Sequence, residues 1–585
     1  MRPKTYAAYL PHRTPSTSVI PSNMPAHRAL VISDILFAIS EALRSDGPDR
    51  KQMRQGRVAL AQVARVCRAF AEPATSALWS HIDNIGPLLA LFSCSRKLCC
   101  PPRQPGLASN DGSDCTGARL MPEDWDDEYV AHAAQPLPRF LWVISGEITD
   151  EEWSRFQHLL AYIRRCYDDD RSASGICVHP TALTQFHRRN EGRPLLPNVV
   201  EFCWKQWSLN DTSLLTLLPP SLRVLDLNFS SFLWYNNTFT NPDVRAKQAQ
   251  TLHRLLQDIC SRGDNLESIV LRGHVEPRLL DPLNNLPNLR RLDMSRCPGL
   301  SASNRILSQT FTQLRRLRRL RHLSIDVQGV YAEVMHMGYL GDFPQLQSLY
   351  LEADMLGAIQ TLTAMNLPHV QVLTISLGGR TEFTVDQLSA ELSALRLPER
   401  LPHLSFLTVR GVLVQNEEED SVVHVLRPLF GLRELESLEM TMHCVQGPLL
   451  GLADEDVCII AQSWLRLADF LVDTTPLSYQ SYMGSQIPRP SVTALVHFAR
   501  HCPQLQNLTL PTFKGGVLPV LPTITPHGLR TLSITQTLDV MVDAEENLAR
   551  QLHTVFPKLL PVASPEACLK WHNIMERLDE IRQGS

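Results

Sequence analysis

The sequence predicts an α/β protein in which a small N-terminal three-helix module precedes an irregular solenoid of strand–helix repeats. Two observations lead to this fold class. A short motif with apolar residues at fixed positions recurs through most of the chain, and a block with helical periodicity stands before its first copy. The length of 585 residues agrees with an elongated array, because one compact core usually serves about 100–200 residues.

The N-terminal module is predicted over residues 27–92, after a Pro-, Ser- and Thr-rich tail at 1–26 that is predicted to be disordered. In its first helix the apolar residues recur at the spacing of one helix face. They are Ile32, Ile35, Leu36, Ile39 and Leu43. A polar stretch at 44–57 then breaks the pattern, a second helix is predicted over 57–70, and Glu72-Pro73 is predicted to open a third. Three short helices make a marginal core, so we expect the module to lean on a partner.

Residues 93–138 are predicted to be a flexible linker. The segment CCPPRQPGLASNDGSDCTG is dense in Pro, Gly, Ser, Asn and Asp, and the acidic stretch EDWDDE follows it. A segment of this composition cannot bury enough apolar surface to offset the entropy that it would lose on ordering.

One motif recurs between residues 139 and 560 and determines the predicted architecture. Its frame is P-x-Φ-x-x-Φ-x-Φ, where Φ is apolar, as in PNLRRLDM from Pro287 and PQLQNLTL from Pro503. Five copies share this frame and seven are looser, which gives twelve in all, at separations of 23 to 44 residues. Their first apolar anchors are Val199, Leu222, Leu266, Leu289, Leu320, Leu346, Val370, Leu404, Leu435, Leu467, Leu505 and Leu529.

Leu-x-x-Leu-x-Leu is the strand segment of a leucine-rich repeat, in which stacked units share one continuous core. The helical stretches VRAKQAQTLHRLLQDICSRG and PSVTALVHFARHC lie between copies and run directly into the next strand. Because the spacing is uneven, we expect an irregular horseshoe with inserted loops, one of them acidic at 417–420. LPRFLWVI is a candidate degenerate first unit, and a C-terminal helix is predicted at 561–585.

Side chains that flank the last two Φ positions are predicted to point away from the core, on the concave face of the solenoid. The candidate binding residues are Arg272, Arg291, Asp293, Tyr350, Glu352, Phe406 and Arg410, within a set that adds Asp226, Asn228, His322, Asp326, Glu439, Asp469 and Asp473. Acidic residues outnumber arginines seven to three in this set. We therefore expect a protein ligand with a neutral or basic contact surface, and the alternative is that this face binds nothing.

ALVISDILFAIS and VALAQVARVCRAFAEPATSALWSHI resemble the F-box-like module of the F-box/leucine-rich-repeat proteins of basidiomycete (mushroom-forming) fungi. The most specific feature is the pairing of Val66-Cys67-Arg68 with Leu78-Trp79 upstream of repeats. The later segments LADEDVCIIAQSWLRLADFLV and SVTALVHFARHCPQLQNLTL are similar to repeat units of the same family. In one departure from the family's usual Leu-Pro opening, Leu30 is followed by Val31.

The resemblance implies docking on the Skp-type adaptor of an SCF-type cullin-RING ubiquitin ligase, with a protein substrate held on the solenoid. The docking residues that it implies are Leu30, Ile35, Leu36, Ile39, Val63, Val66, Phe70, Leu78 and Trp79. The alternative is a repeat scaffold for protein binding that is independent of ubiquitin ligases and whose helical block only caps the solenoid.

No catalytic residue, metal or cofactor is predicted, and the protein is expected not to be an enzyme. The sequence contains no G-x-S-x-G, P-loop, H-E-x-x-H or Rossmann fingerprint. Four neighbouring cysteines lack further ligands at zinc spacing, and Cys177-Val178-His179 lacks a third catalytic member. The four cysteines are Cys94, Cys99, Cys100 and Cys115. The arginine run at 315–321 is interpreted as a solvated helix face, with a nuclear-import or nucleic-acid patch as the alternative.

Composition narrows the expected partners and location. The net charge of −4 gives no global basic footprint, so nucleic acid is not an expected partner. No window approaches the ~20 apolar residues that a membrane helix requires, so a membrane is not expected either. The fourteen cysteines are scattered, which is typical of free thiols in a reducing compartment, and the predicted location is cytoplasmic or nuclear.

Overall fold

The computed structural model describes residues 33–44, 50–83, 85–99, 140–167, 176–205, 214–229, 242–273, 277–297, 304–328, 340–378, 381–416, 420–446, 449–476, 488–514, 527–539, 545–561 and 569–584. The chain forms two compact units, Met1–His81 and Ile82–Ser585. Each unit is described by itself below.

Unit 1 is a three-helix module made of α1 (Ser33–Leu43), α2 (Arg50–Val63) and α3 (Arg68–Ser80). Helix α3 packs against both other helices. Its small core contains Leu60, Ala74 and Ala77, each 2% exposed or less, with Val63, Ala64 and Leu78 partly buried against it. Leu36 of α1 is also buried, at 2% exposure, but the interior of the module remains small and stabilises little on its own, as the sequence suggested.

The helix boundaries of unit 1 differ from those predicted. Helix α2 begins at Arg50, inside the predicted polar break at 44–57, because Lys, Gln and Arg are good helix formers even where no apolar periodicity is present. The predicted second helix at 57–70 is wrong at both ends, since extended backbone at Cys67 separates α2 from α3. Pro73 lies inside α3 and does not open it.

Unit 2 consists mostly of strands that alternate with helices. The strands of the chain are β1 (His81–Ile82), β2 (Ser95–Cys99), β3 (Phe140–Ile144), β4 (Arg165–Cys166), β5 (Ile176–Val178), β6 (Glu201–Lys205), β7 (Val224–Asn228), β8 (Ser268–Arg272), β9 (Arg291–Arg296), β10 (His322–Asp326), β11 (Gly341–Asp342), β12 (Ser348–Ala353), β13 (Met365–Asn366), β14 (Val372–Leu377), β15 (Glu382–Thr384), β16 (Phe406–Gln415), β17 (Ser437–Gln446), β18 (Asp469–Pro476), β19 (Asn507–Lys514) and β20 (Thr531–Asp539).

The helices of unit 2 are α4 (Gly86–Leu89), α5 (Asp150–Leu160), α6 (Pro180–Arg189), α7 (Leu214–Leu217), α8 (Pro242–Arg262), α9 (Asn304–Leu314), α10 (Met355–Ala364), α11 (Val385–Ala394), α12 (Leu397–Arg400), α13 (Val422–Leu426), α14 (Asp454–Ser463), α15 (Val492–His501), α16 (Glu545–Val555) and α17 (Leu569–Gly584). Two 3₁₀-helices accompany them, at Pro277–Asn285 and Arg427–Leu429. Both amphipathic stretches that were predicted to be helical form helices, α8 and α15.

A long parallel sheet runs through unit 2, with its strands in chain order. From β4 the order is β4-β6-β7-β8-β9-β10-β12-β14-β16-β17-β18-β19-β20, and β15 adds to β16. Every one of the twelve predicted motif copies supplies a strand of this sheet that begins two residues after its anchor. All twelve anchors are buried, at 3% exposure or less. The predicted α/β class with a repeated parallel sheet is therefore confirmed, and the arrangement is consistent with a leucine-rich-repeat solenoid.

The strand register explains why the motif has its spacing. In β10 and β12, Leu323 lies opposite Leu349 and Ile325 lies opposite Leu351, and all four are at most 1% exposed. Side chains two apart on a strand share a face, so the two final Φ positions of each copy form continuous apolar rows across the sheet. These rows are the core of unit 2.

Three predictions at the start of unit 2 need correction. The predicted module end at residue 92 lies beyond the boundary at His81, because Phe92 packs in unit 2 with its ring 4.8 Å from that of Phe156. Strand β2 occupies the start of the predicted linker, and the remainder of that linker lies outside the described residues. LPRFLWVI is not a first repeat unit, since its strand β3 belongs to a separate sheet, antiparallel to β2 and parallel to β5.

The C-terminal helix α17 falls within the range predicted for it. Trp571 is fully buried there, and its Nε1 donates to the carbonyl of Leu532 in β20 at 3.0 Å. A helix therefore packs on the last strand of the described sheet. The acidic loop predicted at 417–420 lies outside the described residues apart from Asp420. None of the described helices is long and apolar enough to cross a membrane.

Substitution of Gly411 by Ala should lower the free energy of unfolding of the protein by about 1–3 kcal/mol. Gly411 has a φ of 77° at a register shift of β16, and an added Cβ would lie 2.5 Å from the backbone carbonyl oxygen of Leu377. Thermal or denaturant unfolding would measure the change. Gly528→Ala is the matched control, because a Cβ there meets nothing within 4 Å. Equal stabilities of the two variants would contradict this account of the bulge.

Candidate protein-binding surfaces

An apolar stripe runs along helix α1 of unit 1. We use this name for Ile35, Ile39 and Leu43, which are 37%, 38% and 37% exposed. Residues four apart lie on the same side of a helix, so the three side chains form one exposed apolar row. Leu36, by contrast, is 2% exposed and belongs to the buried side of the helix.

The structure divides the predicted docking residues between surface and interior. Val66 is 70% exposed in the turn that follows α2, so it joins Ile35 and Ile39 among the accessible positions. Phe70 and Trp79 are half-buried, and Val63 and Leu78 pack on the core. Leu36 is a core residue, which corrects its placement on the docking surface. Leu30 lies outside the described residues.

A second surface is the polar face of the parallel sheet, by which we mean the side chains that alternate with the buried rows along β7 to β18. The predicted binding residues belong to three strand positions on this face, of which Arg291 and Phe406 occupy the first, at the start of β9 and β16. Asp293, Ser324 and Tyr350 occupy one row across β9, β10 and β12, as the register shows. Glu352 and Arg410 occupy a parallel row, in which each lies opposite Ser376 of β14. Residues far apart in the sequence thus share one surface.

Two predicted residues of this wider face are buried. Asn228 is 3% exposed and Asp326 is 9% exposed, although spacing alone placed both on the outside. Both stand at the last position of a short strand. The Oδ1 atom of Asp326 accepts from the backbone N–H of Gln328 at 2.9 Å, which holds the side chain against the backbone just after the strand.

Two of the three predicted arginines of the polar face are paired with its acids. Arg410 forms a bidentate contact with Glu439, with Nε to Oε1 at 2.8 Å and the terminal nitrogen to Oε2 at 2.9 Å. This hydrogen bonding raises the pKa of Arg410. Arg272 similarly contacts Asp226 at 2.5 Å. The predicted acidic excess is therefore partly neutralised within the face, which weakens the expectation of a basic ligand.

An acidic pair remains at the middle of the face. Asp326 and Glu352 are register neighbours on β10 and β12. Burial raises the pKa of Asp326 from 3.8 to about 6, the hydrogen bond from Gln328 opposes that change, and the nearby charge of Glu352 adds to it. The pKa of Glu352 is also raised by burial, against the lowering effect of Arg296. Both carboxyl groups therefore keep their protons to a higher pH than an exposed carboxyl group does.

Two exposed predicted residues, Phe406 and Arg410, lie on β16, two strands from Tyr350 on β12. Phe406 is 41% exposed, Tyr350 is half-buried, and the phenol of Tyr350 is close enough to raise the pKa of Arg410 electrostatically. Aromatic and arginine side chains dominate the energetics of protein interfaces. We call Tyr350, Phe406 and Arg410 the aromatic patch, and it is the part of the polar face best suited to contact a protein.

A basic edge lies at the start of β9 and β10. Arg291 is exposed, and the pKa of His322 is lowered first by partial burial and then by the guanidinium groups of Arg291 and Arg321. The arginine run is not a helix face as predicted, because α9 ends at Leu314 and the run forms the turn that leads into β10. Its arginines are all exposed while Leu317 and Leu320 point inward. The arginines are Arg315, Arg316, Arg318, Arg319 and Arg321.

The cysteine candidates do not assemble into a site among the described residues. Cys94 is half-buried, whereas Cys100 and Cys115 lie outside the described part of the chain, and the side chain of Cys99 is not described. His179, next to Cys177, is buried and caps α6, with its Nδ1 accepting from the backbone N–H of Thr181 at 3.3 Å. A capping role accounts for this histidine.

No protein-family model matches the sequence, and no curated protein sequence matches it. The chain is similar in structure to a protein of Bacteroides fragilis, at 14% identity and a TM-score of 0.24, and the match covers 42% of this chain and 65% of the other. It is also similar to a chain of the yeast Rad7–Elc1 complex, at 13% identity, TM-score 0.32 and coverage of 67% and 87%. A third similarity is to a chain of the mouse RP105/MD-1 complex, at 13% identity, TM-score 0.29 and coverage of 68% and 70%.

The present chain thus spans about two thirds of the length of the Bacteroides protein. All three TM-scores are below 0.5. The assignment of the fold therefore depends on the motif and on the strand register of this chain.

Asp326→Asn should make the protein more stable at pH 8 by about 2–3 kcal/mol and should leave its stability unchanged below about pH 4. Between about pH 4 and 6 the unfolded chain loses the carboxyl proton while the folded protein keeps it, so wild-type stability falls as pH rises through this window. An asparagine keeps the acceptor for Gln328 and removes this dependence. Unfolding curves at a series of pH values measure it.

Asp264→Asn is the control, because it removes the same charge from an exposed turn. It should shift the unfolding curves little at any pH. Parallel pH–stability curves for wild type and Asp326→Asn would refute the buried-carboxyl explanation.

Proposed function

We propose that this chain is a non-enzymatic substrate receptor of an SCF-type cullin-RING ubiquitin ligase. Unit 1 would dock on the Skp-type adaptor through the apolar stripe, and the polar face of the sheet would hold a protein substrate. The observation that carries the proposal is the apolar stripe itself, an exposed row of branched side chains on a module with a very small core. The sequence resemblance of this module to F-box-like helices supports the same assignment.

The energetics of unit 1 favour a partner. Three branched side chains that are each about two-fifths exposed leave apolar area in water, and burial of such area contributes about 25 cal/mol per Å². The stabilisation from covering this row would be comparable to the small stabilisation that the module gains from its own core. Docking would therefore stabilise the module and present the repeats at the same time.

The polar face supports the substrate half of the proposal. Its aromatic patch combines a phenol, an exposed phenyl ring and a guanidinium group that Glu439 holds in a fixed orientation. A pre-ordered arginine loses less side-chain entropy on binding than a free one. A protein surface with a carbonyl-rich or apolar protrusion would suit this patch better than a strongly basic surface, because the neighbouring acids are partly paired.

Ile35→Asp and Ile39→Asp in the full chain should each weaken binding to purified Skp-type adaptor at least about tenfold, which corresponds to about 1.4 kcal/mol. A charged side chain in the centre of an apolar contact would have to be desolvated without a partner. Saturation binding of adaptor to immobilised wild-type and variant chains measures the effect.

Leu465→Asp is the matched control, since it places the same charge at another exposed apolar position, 57% exposed, in unit 2. It should bind adaptor as the wild type does. Leu36→Ala should instead unfold unit 1 with or without adaptor, because Leu36 is core and such truncations cost about 2–5 kcal/mol. If the intact, folded wild-type chain does not bind adaptor, the receptor proposal fails and a ligase-independent repeat scaffold takes its place.

Phe406→Ala should remove most substrate proteins that are labelled by proximity to the full chain in its native cells. The ring is the most exposed aromatic group of the aromatic patch, and large interface side chains often account for more than 2 kcal/mol of binding. Leu356→Ala is the control, because Leu356 has the same 41% exposure but lies on helix α10. The same labelled proteins for both variants would show that the polar face does not hold the substrate.

A further inference from the structure

Three potential metal ligands meet where helices α14 and α15 pack side by side in unit 2. Cys458 lies on α14, and His497 and His501 lie four residues apart on α15, which places both imidazoles on one side of that helix. One ligand atom from each of the three side chains lies within 4.8 Å of the others. This is the one group of three such side chains that comes together within the described part of the chain.

The chemistry of the three donors selects the ion. A thiolate and two imidazoles suit zinc, and ions that prefer oxygen ligands, such as calcium and magnesium, would be bound poorly. Zn–S and Zn–N bonds of about 2.0–2.3 Å place one thiolate and two imidazole ligands of a tetrahedral site about 3.3–3.6 Å apart. The three ligand atoms lie within 4.8 Å of one another, so side-chain rotations that shorten the separations by up to about 1.5 Å would bring them to this geometry. Water or the exposed carboxylate of Glu455, near His497, is available for the fourth position.

The surroundings favour a bound cation. All three ligands are half-buried, and the Nδ1 atom of His497 is buried with no hydrogen-bond partner among the described residues. Burial and the charges of His501 and Arg500 lower the pKa of His497. The acids Asp454 and Glu455 act in the opposite direction and contribute negative potential.

Neighbouring groups also hold the ligands in place. The side-chain amide of Gln462 donates to the sulfur of Cys458 at 3.3 Å, and such donors stabilise a metal-bound thiolate. The carboxylate of Asp454 accepts hydrogen bonds from the N–H and the hydroxyl of Ser491, each at 2.6 Å. These bonds fix the start of α15 relative to α14. The two helices therefore present the three ligands from a defined arrangement.

We propose that Cys458, His497 and His501 form a zinc site that ties two consecutive repeat helices together. The ion would be structural, since it would join two helices of the layer that covers the sheet, away from the polar face. It is independent of the proposed ligase role, and neither proposal requires the other.

The test uses the reduced, metal-free full chain and Co²⁺ as a spectroscopic substitute for Zn²⁺. Wild type should bind one equivalent more than the triple variant Cys458→Ser/His497→Ala/His501→Ala, with the sulfur-to-cobalt charge-transfer band of a thiolate ligand. Cys458→Ser should abolish that band. His501→Ala should weaken binding at least about tenfold, and Zn²⁺ should displace Co²⁺. Zn²⁺ should also raise the midpoint of thermal unfolding of the wild type but not that of the triple variant.

Cys67→Ser/His369→Ala is the matched control, because it removes an exposed thiol and an exposed imidazole elsewhere and should leave the band and the affinity unchanged. Circular dichroism of the metal-free variants checks that each remains folded. If the triple variant unfolds, protection of Cys458 from alkylation by Zn²⁺, measured by peptide mass in wild type and His501→Ala, decides the matter. Equal cobalt binding by wild type and triple variant, or no zinc protection of Cys458, would overturn the proposal.

Discussion

A relay of backbone hydrogen bonds joins each repeat of the sheet to the next, and the rest of unit 2 depends on it. The carbonyl of the residue after an anchor accepts from two successive N–H groups of the following unit, except at the last anchor, where the carbonyl of Arg530 accepts from Leu560 and the next residue is Pro561. The Arg290 carbonyl, for example, accepts from Arg321 and His322 at 2.7 and 2.9 Å, and the Arg321 carbonyl accepts in turn from Gln347 and Ser348. The relay continues without a break from the carbonyl of Arg164 to the N–H of Leu560.

This relay fixes the register and leaves the intervening segments free to vary. Units of 23 and of 44 residues both return to the same hydrogen-bonded position, because only the two residues after each anchor take part. Each fixed register aligns the outward side chains in rows. Tyr350 of β12 therefore shares one face with Phe406 and Arg410 of β16, although the three residues occupy three different strand positions. A binding surface is thus a consequence of the same bonds that build the core.

The spacing of apolar residues identified the buried positions of twelve repeats but not the first and last repeats of the array. All twelve anchors are apolar, at a fixed distance from two further apolar positions, and burial requires little else. The relay includes two more units, at Ile163 and Leu559, both fully buried. Ile163 is followed by Arg164-Arg165-Cys166, so the second apolar position of the frame is a cysteine and the copy lacks the leucines that mark the others. LPRFLWVI carries a longer apolar run, but an apolar run does not show which sheet its strand joins.

The surfaces were less predictable than the core because they depend on partners far apart in the sequence. The bidentate contact of Arg410 with Glu439 joins residues 29 positions apart, and a count of charges could not show that it neutralises them. Leu36 and Ile39 have the same chemistry and differ only in which side of α1 meets α3. Asp326 and Asn228 obey the outward spacing, yet both are buried at the last position of their strands.

The position of the cysteine–histidine cluster acquires meaning from the sheet beneath it. Strands β17 and β18 pair over eight positions and β19 and β20 over seven, but β18 and β19 pair over only three, from Asp469 to Leu471. Beyond Leu471 the backbone contributes less to holding these two repeats together, and the helical layer must contribute more. Helices α14 and α15 lead into β18 and β19, respectively. A tie between Cys458 and the two histidines would therefore join two repeats whose strands pair over only three positions. In a linear array each interface is stabilised separately, and a local weakness is best compensated at the same interface.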